Sequence, residues 1–185
     1  MSDYIDDHGG THVNLLKHQA RLVRLKLVSG AVVLGERHDK PAARAVIADL
    51  LIARVVTRLF LEINDLAVFE EEEELLFVLK LLDKKHGNAI SLETLLTIAK
   101  FNHVPVVGYD NASNDDGRLR PTTAEGMANR NMEMGRALTA HGGPGALALV
   151  GSFHLYPKHS GGDFSTTLQA HGNVAFSNAI DLSRY

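Results

Sequence analysis

Two periods of apolar and polar positions alternate along this chain, and the switches between them set out its elements. Residues 31–34 form a short β-branched run ended by Gly35. Residues 42–57 repeat at helical spacing, with Pro41 at a first-turn position where its missing N–H costs nothing. The next buried run is 59–63, Leu-Phe-Leu-Glu-Ile. Asn64 and Asp65 supply an N-cap signal for a long helix from Leu66 to about Lys85, closed by His86 and Gly87. Ser91 opens a helix over 92–101. Residues 104–109 read as a strand, with Pro105 near its first residue. An Asn/Asp/Gly loop over 111–120 leads to a helix over 122–141, stopped by Gly142-Gly143-Pro144. Residues 146–150 are an apolar strand closed by Gly151. A short helix over 164–170, with Gly172 as its C-cap, precedes a last strand over 174–180. Upstream, 13–26 carries Leu15, Leu16, Ala20, Leu22 and Val23 at near-helical spacing with basic residues between, yet 22–28 also alternates like a strand. The pattern leaves both open.

Continuous apolar strands separated by amphipathic helices imply an α/β fold: a mainly parallel central sheet of about five strands with helices on both faces. Residues 1–12 are polar and Gly- and Asp-rich and read as a loose, flexible tail; no linker or composition break divides 13–185, which reads as a single domain. The acidic run 70–74 lies in a helix whose other face carries Leu75, Leu76, Leu79 and Leu82, so it reads as a solvated helix face.

Open α/β sheets bind ligands at the carboxyl ends of their strands. After the first strand comes Gly35-Glu36-Arg37-His38-Asp39, and the second holds Glu62 close to its end. After the third come Tyr109 and Asp110, and after the fourth Gly151-Ser152-Phe153-His154. Each of these alone is more often a solvated loop residue, an N-cap or a turn former than a catalyst. Glu62 is the sharper signal, because a carboxylate inside an apolar run is costly to bury unless paired or protonated. The conjunction carries the reading: parallel wiring gathers these groups into one crevice. Residues 32–38 and 148–154 also share one form, apolar strand, glycine, two residues, histidine, which would present a facing pair of imidazoles. Histidines with nearby carboxylates suit general acid–base catalysis or, with deprotonated ligands, a metal site. The helix over 122–141 adds Met127, Asn131, Met134 and Leu138 on one stripe. Arg130 flanks that stripe as a candidate partner for an oxyanion or carboxylate.

Composition removes several alternatives. Cys is absent, which excludes disulfide scaffolds, thiolate metal sites and cysteine nucleophiles, whereas His reaches 10. A net charge of −3 argues against a nucleic-acid partner. No apolar run approaches the ~20 residues of a membrane span, and the acidic MSDYIDDHGG start is unlike a Sec-type signal. The expected location is cytoplasmic, or outside the cell by a dedicated secretion system. GxSxG, HExxH, Walker A and strand-linked GxGxxG motifs are all missing, so the expected nucleophile is water activated by histidine or a metal.

Gly35-Glu36-x-His38-Asp39 resembles the signature of the erythromycin esterase / ChaN-like superfamily, which includes the TIKI and TraB proteins. In the same order, Leu61-Glu62 resembles its second-strand glutamate, and 99–110 its helix followed by a GVPVxGxD-like strand. Arg130-Asn131-x-x-Met134 resembles its arginine helix, and Val150-Gly151-x-x-His154-Leu155 its closing GxxH segment. The resemblance spans about 32–176 and implies a pocket lined by Glu36, His38, Glu62, Arg130 and His154. The family includes macrolide esterases, metal-dependent peptidases, haem-associated proteins and bacterial toxin or effector domains. This chain lacks the helical insertions of the longer esterases, which fits a compact effector better than macrolide hydrolysis.

The expected activity is hydrolysis of an ester or amide bond. His38 acts as general base on water, with Glu36 orienting it; His154 and Arg130 stabilise the oxyanion; Glu62 sets imidazole charge or binds metal. Asp39, Tyr109, Asp110 and Tyr156 are the expected substrate contacts, and Glu36, His38 and His154 the candidate metal ligands. The partner is a small-molecule or peptide substrate, or a host protein for an effector. The alternative is a binding module that holds haem or a divalent metal without turnover, the metal ranking ahead of haem as cofactor.

Overall fold

The computed structural model describes residues 11–63, 72–110, 124–155 and 179–185. Helix α1 (Thr11–Leu27) leads into β1 (Val32–Glu36), followed by α2 (Ala42–Ile52), β2 (Arg58–Leu61), α3 (Glu72–His86) and α4 (Leu92–Phe101). Then come β3 (Val106–Gly108), α5 (Ala124–His141), β4 (Ala146–Gly151), a 3₁₀ turn (Ser152–Leu155) and β5 (Ala179–Asp181). The strands form one sheet in the order β3-β2-β4-β1-β5, and every pairing is parallel.

Strand side chains alternate between the two faces of the sheet. Val32, Leu34, Leu59, Leu61, Leu147 and Leu149 pack beneath α1, α2, α3 and α4. Ala31, Val33, Phe60, Ala146, Ala148 and Val150 face the other way, onto Met134 and Leu138 of α5. Both faces of the sheet are thus covered, and the central strands are buried throughout, as their unbroken apolar composition requires. Among the described residues no helix is long and apolar enough to cross a membrane.

Local chemistry moves several boundaries. The segment with two readings is helical, and α1 begins at Thr11, so residues 11 and 12 belong to it rather than to the tail. Helix α2 stops at Ile52 instead of running to 57, because Arg54 adopts a left-handed φ of 55° and the Val55 N–H turns back to Leu50 O. Similarly, His103 at φ 57° and the Val104 N–H on Ala99 O close α4, which delays β3 to Val106. Ser91 caps α4 as expected, its Oγ accepting from the Thr94 N–H at 2.9 Å. Gly87, at φ 68°, ends α3 where a residue with a side chain would be strained. The proposed cap at 64–65, the helix over 164–170 and the 174–178 part of the last strand lie outside the described residues. Glu73 and Glu74 of the acidic run are exposed on α3.

Candidate functional site

Glu36 is the last residue of β1, and strand alternation turns it to the α2 side, where it is 4% exposed. Arg44, in the first turn of α2, meets it as a fork: Nε donates to Oε2 at 2.8 Å and Nη2 to Oε1 at 3.1 Å. The same guanidinium reaches on through Nη1 to Asp83 Oδ1 at 2.6 Å and Ile90 O at 2.9 Å. Asp83 Oδ2 in turn accepts the Leu92 N–H. Burial alone would raise the Glu36 pKa, but hydrogen bonds from His38 and Arg44 outweigh it and hold the carboxyl below its ordinary range. His38 Nδ1 donates to Glu36 Oε1 at 2.7 Å, which turns Nε2 away from the carboxylate. That bond lifts the imidazole above its ordinary value of 6.5, against the opposing effect of burial and with help from the charge of Glu62.

Glu62 follows β2 and lies on the α5 side. Its Oε1 accepts Arg130 Nη2 at 2.5 Å, and its Oε2 accepts the Gly151 N–H at 2.5 Å. Arg130 also donates through Nη2 to Asp110 Oδ2 at 2.8 Å and through Nε at 3.2 Å. Asp110 is positioned by backbone pairing that continues past the strands, Tyr109 N–H to Leu61 O and Asp110 N–H to Ile63 O. His154, on the 3₁₀ turn, places Nδ1 2.5 Å from Asn131 Oδ1 and Nε2 3.2 Å from Glu62 Oε1. An amide oxygen only accepts, so Nδ1 carries a proton. Burial pushes the Glu62 pKa up, yet His154, Arg130 and His38 together hold it far below the ordinary carboxylate range.

The two groups meet at Gly151. A β-carbon there would stand 3.1 Å from His38 Nε2 and 3.4 Å from Glu62 Oε2, so the absence of a side chain lets imidazole and carboxylate approach. In the sheet Gly151 pairs with Glu36, and Gly35 with Val150. The two strand-Gly-x-x-His segments are therefore offset by one residue. Both His38 and His154 adjoin Glu62.

The structure brings together Glu36, His38, Glu62, Asp110, Arg130 and His154. It does not bring in Asp39, which is exposed and takes Arg37 Nε and Nη2 on its two oxygens. Nor does it bring in Tyr109, which is wholly buried edge-on to Phe60, its hydroxyl donating to Leu149 O at 3.0 Å. Tyr156 lies outside the described residues. Arg130 is 6% exposed, and its Nε and Nη2 face carboxylates, so of the two partners expected for it, an oxyanion or a carboxylate, the structure shows carboxylates, Glu62 and Asp110. Sequence reasoning assigned no role to Arg44, Asp83 or Asn131. The available signal for Arg44 was a cation set among the buried positions Ala42, Ala43, Val46 and Ile47.

The candidate metal set Glu36, His38 and His154 does not fit an ion. Both Glu36 oxygens are taken by Arg44, whose positive charge opposes a second cation, and His154 belongs to the other carboxylate. Among the described residues no group of three His, Asp or Glu side chains is disposed to hold a metal. What such an arrangement can do chemically is proton transfer: an imidazole anchored through Nδ1, beside two ionised carboxylates.

No family model matches the chain, and no curated protein matches it. A solved structure, of cofacial heme binding to ChaN of Campylobacter jejuni, is similar at 14% identity with a TM-score of 0.45, covering 87% of this chain and 83% of that one.

Proposed function

We propose that the protein is a hydrolase that cleaves an ester or amide bond by general acid–base catalysis, with His38 as the working group. One observation carries this reading: His38 is anchored through Nδ1 on a buried, ionised Glu36, yet its side chain remains 38% exposed. That is an arrangement a proton-transfer group can use, one nitrogen anchored on a carboxylate and a ring still reachable from solvent. In the reaction Nε2 takes a proton from water as its oxygen bonds to the carbonyl carbon. Glu36 and Glu62 stabilise the imidazolium so formed, and the same proton passes to the departing oxygen or nitrogen as the scissile bond breaks. Positioned proton transfer of this kind supplies about 10²–10⁴ in rate. His154, held by Asn131, keeps Glu62 in place. The substrate is a small ester or a peptide amide, and a host protein if the domain works after export as an effector.

The test is a panel of ester and peptide substrates offered to the wild type and to His38→Gln, with folding of both checked by circular dichroism. Turnover by the wild type that falls a hundredfold or more in a folded His38→Gln supports the reading. Full activity in that variant overturns it. So does a wild type that turns nothing over but takes up haem stoichiometrically with a Soret band, which would favour the binding module.

A further inference from the structure

The described residues include four large apolar side chains exposed at the end of the molecule opposite the crevice: Leu25 at 64%, Val28 at 76%, Ile52 at 63% and Phe101 at 79%. They lie where α1, α2 and α4 end, and those ends border the starts of the strands. The Gly145 N–H donates to Leu27 O, the Thr57 N–H to Gly145 O and the Leu59 N–H to Pro105 O. Exposed apolar groups gathered in this way mark an interaction surface more often than chance.

Basic residues are set among them. Helix α1 contains no acidic residue. Its exposed positions Lys17, Arg21, Arg24 and Leu25 fall on one face, away from the buried Val23 and Leu27, and the exposed Val28 follows just past its end. Arg54 and Lys100 are exposed at the ends of α2 and α4, with Asp49 the acidic neighbour one turn back on α2. No ion pair among the described residues takes up Arg21, Arg24 or Arg54. A pocket of about 380 Å³ between the ends of α2 and α4 extends the apolar surface beside Arg54. Cations in a last helical turn offset the helix dipole, which accounts for some of this charge. It does not account for four protruding apolar side chains.

We infer that this end of the molecule docks on an anionic phospholipid surface, with Phe101, Ile52, Val28 and Leu25 entering the interface and Arg21, Arg24, Arg54 and Lys100 lying over the phosphates. Interleaved apolar tips and arginines match a bilayer boundary, where acyl chains and negative headgroups are within a few ångströms of each other. A second copy is a poorer match, since a two-fold contact sets this basic patch against itself. Nucleic acid offers phosphates but no apolar layer for the aliphatic tips. Docking by this end points the Glu36–Glu62 crevice away from the membrane, toward dissolved substrate.

The experiment is co-sedimentation of the full chain with vesicles of phosphatidylglycerol and phosphatidylcholine, compared with phosphatidylcholine alone. The protein is expected to pellet with the anionic vesicles only and to be released in molar salt, where the screening length is about 3 Å. Arg24→Gln with Arg54→Gln should weaken binding about 25-fold, taking about fivefold for each charge. Phe101→Ser should weaken it about tenfold, and Val28→Ser, in the turn after α1, serves if that variant fails to fold. Equal binding to neutral vesicles, or variants that bind like the wild type, overturns the proposal. Dimerisation lost in Phe101→Ser without vesicle binding, or capture of an oligonucleotide without vesicle binding, also overturns it.

Discussion

Glu36 and Glu62 each receive a guanidinium and an imidazole, and each guanidinium passes on to a second carboxylate, Asp83 from Arg44 and Asp110 from Arg130. The Asp–Arg–Glu–His chain thus occurs twice, once on the α2 face and once on the α5 face. The copies differ at their last member. The His38 side chain is 38% exposed, whereas that of His154 is 3% exposed and enclosed between Asn131 and Glu62. Identical chemical parts therefore sit in different settings: under the proposed hydrolysis, the partly exposed imidazole transfers protons and the enclosed one positions Glu62. His38 is raised by its hydrogen bond to Glu36, helped by the charges of Glu62 and Glu36.

The contrast is most directly broken at the two histidines. His38→Gln should lower turnover by about 10²–10⁴ with little loss of stability, measured as kcat/KM beside urea unfolding. His154→Gln should instead cost roughly 1–3 kcal/mol of stability, since it disturbs buried partners. Equal behaviour of the two variants would erase the distinction. Next in size, Arg44→Met and Arg130→Met each strand two carboxylates, and each should lower the unfolding free energy by roughly 3–5 kcal/mol.

Stability against pH sharpens the comparison further. Glu36 and Glu62 both lie below their ordinary 4.5 in the folded protein, so their contribution is complete above that value and is lost as pH falls through the folded values. His38 lies above 6.5, so its contribution is complete below 6.5 and is lost as pH rises through its folded value. Urea unfolding across pH should show both limbs flattened by Glu36→Gln, and chiefly the acid limb by Glu62→Gln. The activity of Glu36→Gln should set in at lower pH than that of the wild type, because the bond that raises His38 is weakened. The smallest effect belongs to Gly151→Ala. Its methyl would press on His38 Nε2 from 3.1 Å and should lower kcat/KM by about tenfold or less with the fold intact.

Most of the architecture was legible because buried parallel strands must be apolar on both faces, and 32–34, 59–61 and 146–150 are. The glutamates and histidines were legible for the same reason: they stand where such runs break. Boundaries were less so. Arg54 and His103 enter the left-handed region without being glycine or asparagine, so nothing in the pattern marks those turns. Asp83 was hidden inside a helix rich in charge, and Arg44 was a cation in an otherwise apolar helix whose pattern names no partner for it. Asn131 stood in the right stripe, but an amide announces no particular partner. Each of the three acts through a contact distant in sequence, 39 residues for Arg44 with Asp83 and 23 for Asn131 with His154, and periodicity reports only on near neighbours.

Arg44 grips Glu36 with one side of its fork while its Nη1 holds Asp83 and the Ile90 carbonyl at the bend joining α3 to α4. A force applied at that bend is thereby felt at the carboxylate that steers His38, through a single rigid, planar group. Under the proposed hydrolysis, substitutions around Ile90 give evolution or an engineer a lever on the proton transfer that acts through Arg44 alone.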